Sequence, residues 1–496
     1  MYLKDIIRGE LFMKNKSLGL IAFLNAINTA LGMLFPLVTY PYITRVLGAE
    51  NLGKVNFSYS VVSYFALLSA LGIYTYASRE GAIVRENKED FNQFSNEIFT
   101  INCISMCITY IIQSVAILSI DKLREYCLLI IIQSSSVLFT TIGVSWIYTI
   151  YEDYVYIIIR NVVFQIISLL LLFIFVRDEK DYVMYTLVTA ISNGGSNIFN
   201  FFHARKYAVL RFTKLRNCVK HIKSILVIFA SSIASTIYVN SDNIILGFLW
   251  GDTPVGLYAI SVKIYSLLKN LVSAAIGVAL PRVTLLFSQD REMDADKIIN
   301  TMMHFLFFLV APIVVGINVL CSEIIYIVGG KQFLKAKVSL HILMLAFVFS
   351  IFASLYSTLV LLPKKYERVI AISSTISAIT NVLLNFFFIT CWKQDGAAFT
   401  TAIAEIIVCC IYYFWSKKVT NIRFQWDEIL KIFFSSIIMV PLSIVIKYKI
   451  NNVGIRTIST IIFCGISYIT SLLLLKSTTM IIAMKWIKNK FYEIVS

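Results

Sequence analysis

The chain has 496 residues, of which 58% are hydrophobic and only 15% charged, with a mean hydropathy of +0.79. Soluble domains carry about 25% charged residues, so this composition excludes a soluble enzyme, a disulfide-stapled secreted scaffold and a disordered chain. The net charge of +16, from 44 Lys and Arg against 28 Asp and Glu, sits mostly in short connectors between apolar stretches, where lipid headgroups attract it; no nucleic-acid partner is expected.

The sequence reads as an all-α polytopic membrane protein. Apolar stretches of about 20 residues, enough to cross about 30 Å of hydrocarbon, recur from end to end. Fourteen are predicted, near 17–42, 55–77, 95–118, 126–150, 154–176, 182–202, 224–249, 255–281, 298–321, 337–361, 366–391, 396–415, 428–446 and 457–475. The first follows Lys4, Arg8, Lys14 and Lys16 and exceeds the ~7–15 residues of a signal-peptide core, so it is expected to stay as a membrane helix. Asn25, Asn28 and Gly32 share one of its faces, Pro36 and Pro41 bend it, and Arg45 lies at its far end. Predicted helix 2 carries Tyr59, helix 3 a stripe of Asn102, Ser105, Thr109 and Gln113, helix 5 Arg160, and helix 6 Asn193, Asn197 and Asn200. Helix 7 carries Tyr238 and Asp242. In helix 8, Lys263, Ser266, Asn270 and Ser273 share a face, with Lys269 about a third of a turn away. Helix 11 bears Ser374, Ser377, Asn381 and Asn385, and helix 12 bears Glu405.

Any one polar stripe can be interhelical hydrogen bonding; their recurrence in both halves points to a hydrated central cavity. A charge at a helix centre costs roughly 2.5–3.5 kcal/mol on insertion scales, so each should face water or a partner. Asp242 and Lys263, on adjacent helices, are expected to neutralise each other or to work in transport. In the second case Lys263, Lys269 and Arg45 draw an anionic headgroup, while Asp242 or Glu405 exchanges a coupling proton or cation. The Asn and Tyr residues are expected to line that cavity.

Lys and Arg number 27 at the termini and after even-numbered helices, against 13 after odd-numbered ones, which places both termini in the cytoplasm. A weak internal repeat pairs Arg45-Val-Leu-Gly48, Gly53 and Leu68-Ser-Ala-Leu-Gly72 with Ile244-Ile-Leu-Gly247, Gly256 and Val272-Ser-Ala-Ala-Ile-Gly277. With six helices between copies, the halves form a parallel pseudo-repeat. The expected division is a six-helix lobe over 1–204, a basic linker over 205–223, a second six-helix lobe over 224–415, and two added helices with a tail over 416–496. There is no phosphate-binding G-x-x-x-x-G-K-[ST] loop, no H-E-x-x-H and no His cluster. No cofactor, metal or catalytic constellation is expected, and transport is favoured over catalysis.

Tyr40-Pro-Tyr-Ile-Thr-Arg45-Val-Leu-Gly48 with Gly53, Tyr59, Leu71-Gly72-Ile73 and Arg79-Glu80, and then Asp242-Asn-Ile-Ile-Leu-Gly247 with Val255-Gly256-Leu-Tyr258 and Lys263, resemble the polysaccharide-biosynthesis flippases of the Wzx type. The resemblance implies alternating access by a twelve-helix core with two appended helices. It implies an undecaprenyl-pyrophosphate-linked oligosaccharide as cargo, in a bacterial inner membrane, with a polysaccharide polymerase and a chain-length regulator as further partners. Lipid II flippases carry arginines in the body of the first helix, whereas residues 21–40 here contain none, which counts against lipid II. A cation-coupled multidrug exporter of the same superfamily is the alternative transporter; a membrane-embedded O-antigen polymerase or ligase, disfavoured by the short connectors, is the alternative enzyme.

Overall fold

The computed structural model describes residues 18–482 and 484; the side chains of 18–31, 33, 34 and 231 lie outside it. The basic residues of both termini therefore fall largely outside the described residues. Every described element is a helix: α1 Leu18–Ala70, α2 Ile73–Val84, α3 Lys88–Ser119, α4 Cys127–Gly143, α5 Ser145–Ile150, α6 Tyr154–Phe175, α7 Tyr182–Ala190, α8 Asn197–Ala204, α9 Leu215–Trp250, α10 Asp252–Ser288, α11 Glu292–Val319, α12 Cys321–Gly329, α13 Lys337–Tyr356, α14 Glu367–Trp392, α15 Gln394–Val419, α16 Trp426–Ile437, α17 Met439–Lys449 and α18 Val453–Leu474, with short turns such as Asp121–Glu125 between them. Ten of these runs are long and apolar enough to cross a membrane, eleven when α9, broken near residue 231, counts as one span. This is a multi-pass membrane protein.

The other predicted spans are short or interrupted for identifiable reasons. α1 joins the first two predicted helices through Gly48, whose φ of 71° and ψ of 178° suit only glycine. Predicted helix 4 breaks at Val144, in the left-handed region. Predicted helix 6 is split by a π-turn over Ile191–Gly195. α9 begins at Leu215, so the basic stretch expected as a linker to residue 223 is non-helical only up to Lys214.

The chain forms two compact units. One takes the chain up to Leu47 together with Phe57–Thr236; the other takes Gly48–Asn56 together with the chain from Ile237. The first has an aromatic core in which Phe91, Phe94, Trp146, Tyr148 and Ile225 meet.

Each unit fastens an extended connector to a helix in the same way. On α3, Asn92, Asn96 and Thr100 accept the backbone N–H groups of Val209, Arg211 and Thr213 at 2.9, 2.6 and 3.0 Å. On α11, Asp296, Asn300 and His304 accept those of Asn421, Arg423 and Gln425 at 3.2, 2.8 and 3.1 Å. Positions i, i+4 and i+8 of a helix rise about 6 Å apart, close to the spacing of alternate N–H groups on an extended strand, which is why the two match. His304 Nδ1 donates to the Asn300 carbonyl at 2.7 Å, leaving Nε2 free to accept. Asn96→Ala and Asn300→Ala each remove a solvent-exposed hydrogen bond to the connector and are expected to cost about 0.5–1 kcal/mol, read as a lower melting temperature of the purified protein.

Candidate functional site

The polar interior of the second unit is built on four helices. Asp242 of α9 is 5% exposed. Its Oδ2 accepts from the Tyr258 hydroxyl at 2.5 Å and from Thr401 Oγ1 at 2.9 Å, and its Oδ1 accepts from Asn385 Nδ2 at 2.6 Å. Around this first ring, Asn385 Nδ2 also reaches Asn381 Oδ1 (3.2 Å), Thr400 Oγ1 donates to Asn385 Oδ1 (2.5 Å), and Ser241 Oγ donates to Asn381 Oδ1 (3.3 Å). Asn381 and Asn385, one turn apart on α14, are wholly buried. These donors are neutral amides and hydroxyls, so the carboxylate is solvated without being neutralised, a state that burial makes costly unless a proton or cation completes it. Among the described residues no three His, Cys, Asp or Glu side chains gather in a metal-binding group. One carboxylate in a shell of neutral hydroxyls and an amide suits a singly charged species.

One turn further along α15, Glu405 is paired with Lys269: Nζ lies 2.8 Å from Oε1. Tyr265 donates to the same oxygen at 2.9 Å, and Lys269 also reaches the Tyr265 hydroxyl at 3.2 Å. Tyr238 is half-buried beside Glu405 and Tyr265. The sequence placed Lys269 on phosphate and Glu405 on a coupling ion; the structure joins them to each other. It also corrects the expected pairing of Asp242 with Lys263, since no ion pair links the two. Helical geometry explains this. Tyr258, Tyr265 and Lys269 recur at i, i+7 and i+11 on one face of α10, whereas Lys263 lies about 140° away from Tyr258. Removing one member of a fully buried pair costs about 3–5 kcal/mol, and somewhat less here, because the Lys269 left behind is half-buried. Glu405→Gln is therefore expected to lower the abundance of folded protein sharply, and Glu405→Gln with Lys269→Met to restore much of it, read by size-exclusion fluorescence of a tagged protein.

The remaining expected residues are dispersed. In the first unit, buried Asn197 accepts from Arg160 Nη1 at 3.4 Å and from Asn200 Nδ2 at 3.1 Å, while Arg160 Nη2 donates to Asn161 at 2.8 Å. Asn193 is exposed in the π-turn, and Arg45, Tyr59 and Asn270 are exposed on their helices. The Asn25 and Asn28 side chains lie outside the described residues. The stripe on α3 is packed rather than wet: Asn102, Ser105, Thr109 and Gln113 are all buried, Ser105 donates to the Leu68 carbonyl (2.8 Å), and Gln113 accepts from Ser134 (2.8 Å).

One cluster has no counterpart in the sequence reading. Glu97 of α3, 1% exposed, accepts from Lys220 Nζ (2.9 Å), His221 Nε2 (2.8 Å) and Gln93 Nε2 (3.0 Å), and Tyr76 donates to His221 Nδ1 (2.7 Å). It floors a cavity of about 340 Å3 whose walls include Glu80 and Asp90. The sequence places Lys220 and His221 in the basic linker; in the structure both lie on α9, whose helical register aims them at Glu97.

A family model described as "Polysaccharide biosynthesis protein" matches residues 22–287. The chain is 22% identical over 388 residues to an Escherichia coli (strain K12) protein named "Putative O-antigen transporter", covering 76% of this chain and 91% of that one. It is 24% identical over 250 residues to a Haloferax volcanii protein named "Probable low-salt glycan biosynthesis flippase Agl15", covering 49% of this chain and 52% of that one. Among solved structures, the lipid II flippase MurJ in an inward closed conformation aligns over 92% of this chain and 99% of its own, with a TM-score of 0.73 at 16% identity, a likeness of fold. With more than half of its length matched by the family model, the chain belongs to the polysaccharide biosynthesis protein family of membrane transporters.

Proposed function

We propose that this protein flips a polyprenyl-pyrophosphate-linked oligosaccharide repeat unit, undecaprenyl-linked in a bacterial host, from the cytoplasmic to the outer leaflet of the inner membrane by ion-coupled alternating access. The observation that carries the coupling is Asp242, an uncompensated carboxylate inside an apolar bundle, of the kind that marks an ion or proton pathway. Family membership and the names of the relatives support the class of cargo. A sugar diphosphate cannot cross hydrocarbon unaided, whereas its tail can stay in lipid. Membrane lipids are thus partners by necessity, and a polymerase and a chain-length regulator would take the exported unit.

In this reading the lobes are 1–204 and 224–415, joined by the basic segment 205–223 and followed by two added helices over 416–496. The matching connector clasps on α3 and α11 support two copies of one plan. Both termini would be cytoplasmic, on the charge count above. The test is deletion of the gene followed by identification of the lipid-linked sugar that accumulates. Wild-type protein should clear it, and restored export by a vesicle-reconstituted sample should require an ion gradient. Labelling of a cysteine placed at Lys214 only from outside would refute the orientation, and absence of any accumulated lipid-linked sugar would refute the cargo.

A further inference from the structure

Between the end of α1, one face of α3 and the first three turns of α9, the first unit holds a second cavity, of about 460 Å3. Leu68, Ile101, Ile104, Ile108, Val219 and Ile225 are among its lining residues, and Ser105 and Thr109 are the only hydroxyls there. Ser105 already donates to the Leu68 carbonyl (2.8 Å), and Thr109 is 2% exposed. A buried water needs two to four polar partners, so this is a slot for hydrocarbon rather than for water.

The slot is bordered by a face of α9 on which Leu215, Val219, Ile222 and Leu226 are all exposed. Arg216 and Lys223, both exposed, lie about a quarter-turn round the helix from that face, and Lys214 precedes it. The segment from Arg205 to Lys223 carries seven Lys and Arg and no Asp or Glu. Lys220 is engaged by Glu97 (2.9 Å). Apolar side chains alternating with long cationic ones, at the start of a membrane helix, meet acyl chains on one side and phosphates on the other.

We propose that this slot binds one acyl chain of an anionic glycerophospholipid from the surrounding bilayer, with its phosphate held by Lys214, Arg216 and Lys223. The occupant follows from charge complementarity. A zwitterionic lipid fills the slot equally well but gains little from a rim of uncompensated cations, and a cavity of this size accommodates a single acyl chain better than a long polyprenyl tail. Because the preceding connector is clasped to Asn92, Asn96 and Thr100, a bound lipid would brace α9 against α3. This proposal does not depend on the cargo.

Native mass spectrometry of the purified full-length protein tests it, with phosphatidylglycerol and phosphatidylcholine of identical palmitoyl and oleoyl chains supplied at equal concentration. Wild type is expected to retain phosphatidylglycerol over phosphatidylcholine by about tenfold or more, since each cation near an anionic leaflet is worth roughly fivefold. Arg216→Gln with Lys223→Gln should keep lipid binding and lose most of that preference; Ile104→Trp with Leu226→Trp should fill the slot and lose both lipids. Equal retention of the two lipids by wild type overturns the proposal, as does a filled slot that still holds phosphatidylglycerol. Displacement of phosphatidylglycerol by equimolar polyprenyl diphosphate would give the slot to the cargo tail and overturn it too. If the filled variant does not fold, wild type exposed to phosphatidylglycerol with a photoreactive acyl chain decides: adducts within 101–112 and 215–226 support the slot, and adducts scattered over other helices refute it.

Discussion

Asp242→Asn is expected to abolish uphill, gradient-driven export while leaving the protein folded and at normal abundance. The amide has the carboxylate's shape, and the Tyr258 and Thr401 hydroxyls that now donate to Oδ2 can rotate to accept from an NH2 group, so the shell closes around it. What is lost is the charge. One elementary charge moving across the membrane is worth about 2.3 kcal/mol per 100 mV, a roughly fiftyfold drive on the cargo equilibrium. A flippase that loses it can still equilibrate its cargo between leaflets but cannot pump it. Thr401→Val removes one charge-assisted donor, typically worth about 1.5–3 kcal/mol, and should weaken coupling without eliminating it. The readout is lipid-linked sugar accumulating in cells at matched protein abundance, together with the ion dependence of transport in vesicles. Normal, gradient-driven export by a well-expressed Asp242→Asn protein would remove Asp242 from the mechanism.

The class of fold was legible because a membrane protein has to advertise its spans: each predicted stretch lies on helices in the described structure, and the boundaries err where backbone geometry rather than hydropathy decides. Val144 and the π-turn at Ile191–Gly195 interrupt apolar runs without interrupting hydropathy, whereas helix continues to either side of Gly48 through a polar connector that hydropathy reads as a break. α9 starts early because Leu215, Val219 and Ile222 continue the helical period through a segment whose lysines and arginines looked like loop. The site was legible in part. Asp242, Lys269, Glu405 and Asn381 were all singled out as polar groups too costly to bury alone, and all are in the buried network. The pairing was wrong because adjacency of helices says nothing about rotation: Lys263 and Lys269 are six residues apart, and only one of them can share the Tyr258 face. Thr400 and Thr401 were invisible as ligands, since threonine in a membrane helix is usually spent on its own backbone, as both also are here through the Ala397 carbonyl (2.9 and 3.0 Å).

The internal repeat proves sharper than its sequence suggested, and its register differs. Gly48 was matched with Gly247, yet the glycine in the same backbone state is Gly251, with φ of 78° and ψ of −161° against 71° and 178°. An offset of 203 residues then relates Gly48 to Gly251, Ala49 to Asp252 and Gly53 to Gly256. The contacts are reciprocal. A Cβ on Gly53 would lie 1.9 Å from the Asp252 carbonyl oxygen, and one on Gly256 would lie 1.8 Å from the Ala49 carbonyl oxygen. A carbon approaches a carbonyl oxygen no closer than about 3.3 Å, so either methyl group would have to push two backbones apart by more than an ångström. Overpacking usually costs about 1–3 kcal/mol when side chains can yield; here the obstructing atoms are backbone on both sides and cannot rotate away. Gly53→Ala and Gly256→Ala are each expected to fall at or beyond the top of that range and to leave little folded protein, measured as membrane-inserted, monodisperse material after detergent extraction. Substituting the facing residue should not rescue either, because Asp252→Ala and Ala49→Gly leave the carbonyls in place. Gly277, the sequence-matched partner of Gly72, has nothing within 4 Å of its would-be Cβ, and Gly277→Ala should be tolerated, whereas Gly72, at φ 74° and facing Ile228 at 2.6 Å, should not accept a side chain. Wild-type levels of Gly256→Ala protein would mean that the two hairpins do not meet backbone to backbone, and the reciprocal contact would have to be abandoned.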